Sequence, residues 1–438
     1  MTPHKPKDSR PKRNLTWFLR ILGPGLVTGA ADDDPSGIAT YSQTGAQFGF
    51  GQIWTALYQI PLLIAVQECC ARIGVVTGKG LAGVIKEHYS RTILTGVVLL
   101  VVAANTINIG ADIGAVAAAT QLVVDAPFWI YAVLTAIIIV VLEVWLSYRT
   151  YARFLKWLAL ALFSYPATAL IIREPWGDIV RATLVPHVEF TFAFLFIITG
   201  VFGTTISPYM FFWQASQEVE EEIKREIQIS SAGRPILPLT FIGEMQIDNA
   251  VGMVASEIAQ WFIIMTTASV LFSHGVTNIA TAADAARALE PLVQSFPNSG
   301  QLAKDIFAVG VIGLGFLAIP VLAGSSAYAL SEALNWREGL SRKFGDARGF
   351  YGMIIVSTMV GLGLNFVGIN PIKALVFTAV FNGIAAVPLL YLVARINGNE
   401  AILGARTGGV LSRFFVWVTV GIMGLAAVGL LYTTVIPQ

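Results

Sequence analysis

The 438 residues carry 28 Lys and Arg against 27 Asp and Glu, a net charge of +1, with 55% hydrophobic and only 13% charged residues and a mean hydropathy of +0.69. A soluble domain carries about 25% charged residues, so the composition excludes one and predicts an all-α polytopic membrane protein. The balanced charge gives no footing for a nucleic acid or an acidic partner.

The N-terminal stretch MTPHKPKDSRPKRN is basic and polar, and residues 1–15 are expected to form a cytoplasmic tail. The apolar run after it leads into acidic residues rather than a small-residue cleavage site, which predicts that the first helix stays in the mature chain. Windows long enough to cross about 30 Å of hydrocarbon fall at 16–46, 50–74, 92–124, 127–148, 149–172, 190–218, 250–275, 304–332, 350–368, 371–395 and 411–435, eleven spans in one transmembrane domain over 16–435. With the N-terminus inside, every Lys and Arg except Arg173, Arg181, Arg287, Lys304 and Lys373 falls on the inner side. The positive-inside rule therefore predicts a cytoplasmic N-terminus and an extracytoplasmic C-terminus.

The first span is interrupted at GAADDDPSG, Gly29 to Gly37. An Asp at a helix centre costs about 2.5–3.5 kcal/mol on insertion scales, so three in a row imply a function there. Proline removes a backbone donor, and the carbonyls freed around Pro35, that of Ala31 among them, become cation ligands. Asp34 adds formal charge and is placed to cap the second half of the helix. Asp32 and Asp33 are read as vestibule charges or as caps.

Cys69 and Cys70 are adjacent on the second span, a poor geometry for bridging each other, and are expected to pack. In the third span, NTINIGADIGAVAAA, Asp112 is the one ionisable residue in a long apolar run, a site hypothesis by default whose alternative is a structural hydrogen bond.

The sixth span is interrupted at GTTISPYM, Gly203 to Met210, around Pro208. Thr204, Ser207 and Tyr209 are its candidate ion-contacting residues. The two breaks lie five spans apart, and an odd separation inverts topology, so spans 1–5 (16–172) and 6–10 (190–395) read as an inverted pair with an extra helix at 411–435. Both first halves end near the midplane and present the negative ends of their dipoles there. Carboxylate, carbonyl and hydroxyl oxygens converging at such a point suit a hard divalent cation, Mg²⁺ or Mn²⁺.

The run EVEEE, Glu218 to Glu222, and the acids Glu257 and Glu332 are read as solvated. The segment NIATAADAARALEPLVQSF, 278–296, reads as an amphipathic surface helix. None of the four histidines, His4, His88, His187 and His274, lies beside a break, and no HExxH, P-loop or nucleophile elbow is present. No enzyme is predicted.

GPGLVTGAADDDPSGIATYSQTGAQFG (Gly23 to Gly49) and QECCARIGVVTGKGLA (Gln67 to Ala82) resemble the first helix and the second-span exit of the Nramp family of divalent-metal transporters. The resemblance implies the LeuT-type fold with alternating access. The departures from the family pattern point further. Asp-Pro-Gly-Asn stands here as Asp34-Pro35-Ser36-Gly37, so the ligand aspartate is kept and the ligand asparagine becomes Gly37. Ala-x-x-Met-Pro-His stands as Thr204-Thr205-Ile206-Ser207-Pro208-Tyr209, so the metal-binding methionine becomes Ser207 and the proton-linked histidine becomes Tyr209. The acids of the proton route align with Asn108 and Ala111.

A thioether favours transition metals, and its replacement by a hydroxyl weakens that preference. A wider, all-oxygen pocket fits an ion that keeps part of its water, as Mg²⁺ does. The combination looks like the Nramp-related magnesium transporter branch, which implies uptake of Mg²⁺ and Mn²⁺ without proton coupling, with Asp112 adding a second charge. The expectation is a monomeric importer in a prokaryotic inner membrane, its metal carried as cargo and no cofactor bound. Three rivals remain. A proton-coupled Mn²⁺/Fe²⁺ transporter needs the missing acid and imidazole groups, and an amino-acid symporter on the same fold would bring a carboxylate to Asp34. An aspartyl intramembrane protease would have to pair Asp34 with Asp112.

Overall fold

The computed structural model describes residues 18, 21–145, 163–172, 174–230, 234–238 and 240–435. The expected tail and the greater part of the expected fifth span lie outside them. The principal helices are α1 (Pro24–Asp32), α2 (Pro35–Phe48), α3 (Trp54–Thr77), α4 (Leu81–His88), α5 (Arg91–Val123), α6 (Phe128–Trp145), α7 (Ser164–Ile171), α8 (Trp176–Leu184), α9 (Phe192–Thr205), α10 (Pro208–Lys224), α11 (Phe241–Val270), α12 (Ser299–Leu334), α13 (Arg348–Leu364), α14 (Pro371–Asn397) and α15 (Val410–Val435). No strand occurs among the described residues.

Eight described helices, with α9 and α10 taken as one, are long and apolar enough to cross a membrane. The broken pair α1/α2 and the shorter apolar α13 add to these. The ends follow local chemistry. Ser90 and Thr191 cap α5 and α9 by accepting the N–H groups of Ile93 and Phe194, and Asn370 caps α14 ahead of Pro371. α3 stops at Gly78, whose φ of +66° a residue with a Cβ adopts only with strain.

The two breaks share one construction. α1 ends at Asp32 and α2 restarts at Pro35, while α9 ends at Thr205 and α10 restarts at Pro208. The residues ahead of the prolines, Asp34 (φ −65°, ψ 172°) and Ser207 (φ −82°, ψ 142°), are extended, as a following proline requires. Each leading half is gripped by another helix. α1 lies on α11 so closely that a Cβ at Gly29 would fall 2.3 Å from the Gly252 carbonyl oxygen. α9 lies on α14, where a Cβ at Gly203 would fall 2.0 Å from the Ala379 carbonyl oxygen.

The seventh span starts earlier than hydropathy predicts, because its polar first turns have partners. Asp248 accepts the N–H groups of Gly23, Gly25 and Leu26 and so caps α1, whose own N-cap glycine has no side chain to do so, and Asn249 donates to the Ile64 carbonyl. The expected surface helix over 278–296 is instead three short helical pieces, Ala282–Ala286, Arg287–Leu289 and Glu290–Val293, the last with Pro291 in its first turn. Their apolar residues Ala285, Ala286, Leu289 and Val293 are buried in the bundle. Cys69 and Cys70 are free and buried, as packing residues are.

Candidate metal site at the two helix breaks

Asp34 is the N-cap of α2. Its Oδ1 accepts from Ser36 Oγ at 2.5 Å and from the Gly37 N–H at 2.8 Å, and its Oδ2 accepts from Asn108 Nδ2 on α5 at 3.2 Å. Ser36 Oγ also lies 3.0 Å from Thr204 Oγ1 at the end of α9. One polar chain thus joins both breaks and the third span. Asp34, Ser36, Asn108, Thr204 and Ser207 are all buried. Gly37 borders the same space, where a Cβ would sit 3.3 Å from the Asp32 carbonyl oxygen and 3.5 Å from Thr204 Oγ1.

The two other breaks-derived candidates meet directly. Tyr209 OH donates to the Ala31 carbonyl oxygen at 2.9 Å, so the first residue after Pro208 holds one of the carbonyls freed at the end of α1. Ser207 turns back onto the end of α9, its Oγ donating toward the Gly203 carbonyl oxygen at 2.5 Å and that of Thr204 at 2.9 Å. These contacts use its proton and leave its lone pairs unoccupied. Asp112 is fully buried on α5, and neither of its carboxylate oxygens has a hydrogen-bond partner among the described residues. The alternative of a structural hydrogen bond is therefore not what the described contacts provide.

Sequence reasoning missed two members. Ser36 stands in the sequence only as a departure from the family's Asp-Pro-Gly-Asn pattern, and Asn108 only as a lost acid. A signal for Asn108 was present: Asn105, Asn108 and Asp112 repeat at helical spacing and form one polar stripe on an apolar span. Asn105 donates from that stripe to the Leu322 carbonyl and to Ser326 Oγ on α12. One atom of each of two buried amides, Asn108 Oδ1 and Asn382 Nδ2, has no partner among the described residues.

Most of the acids read as vestibule or solvated charges are buried, while Glu220, Glu221 and Glu332 are half-buried. Asp32 and Asp33 are buried, with Ser256 of α11 donating to Asp32 Oδ2 at 2.5 Å and lying 3.4 Å from Asp33 Oδ1. Burial against α11 does not fit a watery vestibule, and Asp33 stands as the C-cap residue of α1. Glu257, next along α11, is also buried, with neither carboxylate oxygen partnered among the described residues. Within EVEEE, Glu218 and Glu222 are buried, and Gln214 donates to Glu218 at 2.9 Å. Glu332 accepts the Gly83 N–H at 2.7 Å and ties α12 to α4. For Asp32, Asp33 and Glu332 the partner comes from a distant helix, which a local hydropathy window does not see, whereas Gln214 lies one turn from Glu218 on α10.

Among the described residues no three His, Cys, Asp or Glu side chains surround a common point as a metal cage would require. What the breaks bring together is a carboxylate, hydroxyls, an amide and main-chain carbonyls. Such a set is suited to a hard cation that retains water, and it contains no imidazole or thiolate to favour a soft one.

The sequence profile of the family described as "Natural resistance-associated macrophage protein-like" (Nramp) matches residues 25–433. The divalent metal cation transporter MntH of Yersinia pestis is 26% identical over 96% of this chain and 97% of its own length. The MntH of Klebsiella pneumoniae is 25% identical over 74% of this chain and 75% of its own. Among solved structures, a manganese transporter of Eremococcus coleocola superposes with a TM-score of 0.77 at 16% identity, covering 97% of this chain and 88% of its own. Mhp1, a nucleobase-cation-symport-1 family transporter, superposes at 0.57 with 14% identity, covering 95% and 94%. These likenesses establish the LeuT-type fold for the chain.

Proposed function

The chain belongs to the Nramp family, and from that premise we propose that it is a secondary transporter importing divalent cations, Mg²⁺ and Mn²⁺, by alternating access without proton coupling. It is a transporter and not an enzyme, and the metal is cargo. The ion binds partly hydrated between the two breaks. Asp34 supplies charge, Thr204 and Ser207 hydroxyl oxygens, and Ala31 a carbonyl released when Tyr209 lets go. Gly37 leaves room for retained water, and Asp112 balances a second charge through solvent.

The observation that carries this reading is the donor set around Asp34. Its side-chain neighbours are Ser36, Asn108 and, through Ser36, Thr204, and the residue before Pro208 is a serine. A hydroxyl there removes the soft donor that favours transition metals, and a hard oxygen set accepts Mg²⁺. The neutral Asn108 and Tyr209 stand where the family resemblance expects proton-accepting groups, and neither titrates near neutral pH. The remaining parts of the reading are a single transmembrane domain of two inverted repeats, a bacterial inner membrane with the N-terminus inside, and a monomeric unit. An inward-moving +2 charge gains about 4.6 kcal/mol per 100 mV, so uptake runs without a coupling ion.

Proteoliposomes loaded with a Mg²⁺ indicator and a pH indicator test it. On adding Mg²⁺ or Mn²⁺ outside, the metal signal should rise with the pH signal flat. Mn²⁺ influx with internal acidification and no Mg²⁺ influx would establish the proton-coupled alternative instead.

A further inference from the structure

A carboxylate presents about four lone-pair positions on its two oxygens. At Asp34 both positions on Oδ1 are occupied, by the hydroxyl of Ser36 at 2.5 Å and the N–H of Gly37 at 2.8 Å. On Oδ2 the side-chain donor among the described residues is Asn108 Nδ2 at 3.2 Å, and the Ser36 N–H also approaches the carboxylate. Ser36 is fully buried, and its oxygen is held a second time, 3.0 Å from Thr204 Oγ1. With the Ser36 proton committed to Asp34, the bridging proton belongs to Thr204, so the chain runs in one direction: Thr204 donates to Ser36 and Ser36 donates to Asp34. The result is a carboxylate whose Oδ1 is closed by two donors while Oδ2 carries a single side-chain donor.

We propose that Ser36 is a specificity-determining residue: by closing Oδ1 it restricts Asp34 to monodentate binding and discriminates against Ca²⁺ in favour of smaller octahedral cations. This rests on the reading of Asp34 as an ion ligand. Ca²⁺ gathers about six to eight oxygens at 2.3–2.6 Å and readily takes carboxylates in bidentate fashion, whereas Mg²⁺ requires near-ideal octahedral geometry at about 2.0–2.1 Å and keeps several waters. A carboxylate that can offer one lone pair serves the second pattern and starves the first. Thr204 acts through Ser36: it fixes the direction in which the Ser36 proton points, and it ties that orientation to the position of α9.

The test is the ratio of Ca²⁺ to Mn²⁺ uptake, and of Ca²⁺ to Mg²⁺ uptake, by the full-length protein in proteoliposomes. In Ser36→Ala, Oδ1 regains a free lone pair, and both ratios should rise about tenfold, the equivalent of one charge-assisted hydrogen bond. Thr204→Val, which removes the orienting donor while Ser36 remains, should raise them less and in the same direction. Unchanged ratios in whichever of these variants inserts and transports would overturn the proposal. So would a wild-type protein that carries Ca²⁺ as fast as Mn²⁺, a result that needs no variant. The Ca²⁺ to Mn²⁺ ratio does not depend on Mg²⁺ being carried, so failure of the magnesium reading and failure of the Ser36 proposal are separate outcomes.

Discussion

The first break and the sixth-span break are the same joint with different contents. Each is two residues long, each restarts on a proline, and each has its leading half clamped through glycine onto a long helix, α1 on α11 at Gly29 and Gly252, α9 on α14 at Gly203 and Gly383. What lies in the gap differs. Asp33 and Asp34 fill the first, flanked by Asp32, and Ile206 and Ser207 fill the second. Proline and glycine thus make the mechanics, by freeing carbonyls and by letting backbones meet, while the one or two residues between the halves decide the chemistry. The acidic joint also recruits partners from farther away, Asn108 on α5 and Ser256 on α11, because carboxyl groups out of water demand hydrogen-bond partners. The neutral joint satisfies itself locally, Ser207 bonding back to Gly203 and Thr204.

If the charge of the first joint is what binds cargo, Asp34→Ala should reduce Mg²⁺ and Mn²⁺ uptake by more than about a hundredfold, since even outer partners of a metal ligand are worth about 10–100-fold. Purified yield and thermal unfolding serve as controls, and transport that survives would relocate the ion. The mechanical likeness of the joints is tested by pairing Gly29→Ala with Gly203→Ala. Each added methyl meets a main-chain oxygen at 2.3 Å or less and should destabilise the detergent-purified protein by about 1–3 kcal/mol. A large loss at one and none at the other would show that the two clamps are not equivalent.

Much of the architecture was legible in the sequence because its determinants are local. Asp34-Pro35 and Ser207-Pro208 mark the breaks to the residue, and apolar runs give most span ends to within a few positions. What was not legible depends on contacts between distant segments. Asp32, Asp33 and Glu257 read as solvent-facing because each is charged, yet Ser256 and the α1–α11 contact bury them. Glu218 and Glu222 fail the same test for the same reason. The beginning of α11 was placed too late because Asp248 and Asn249 look like loop residues until α1 and α3 supply their partners. Ser36 carries no signal in a linear reading; only the approach of α9 makes it a bridge.

A smaller effect addresses the contents of the neutral joint. Ser207→Met would place a thioether in the space its hydroxyl faces and should raise Mn²⁺ transport relative to Mg²⁺ by about tenfold, close to 1.4 kcal/mol, as a soft ligand displaces a hard one. Competition uptake with both metals reads this directly. An unchanged ratio with uptake intact would mean that the second joint does not touch the ion, and the site would then belong to the first joint and α5 alone.

The least effect is expected at the one bond that links the joints through main chain. Tyr209 OH donates to the Ala31 carbonyl at 2.9 Å, a neutral hydrogen bond, so Tyr209→Phe should lower stability in thermal unfolding by about 1 kcal/mol. Uptake should stay within about fivefold of the unaltered protein, the same energy expressed as a rate. The ring remains to fill its buried position, and the carbonyl it releases stays available to the cargo. A loss as deep as that of Asp34→Ala would make the phenol a ligand equal in rank to the carboxylate, and the contrast between a charged joint that binds and a neutral joint that completes the shell would no longer hold.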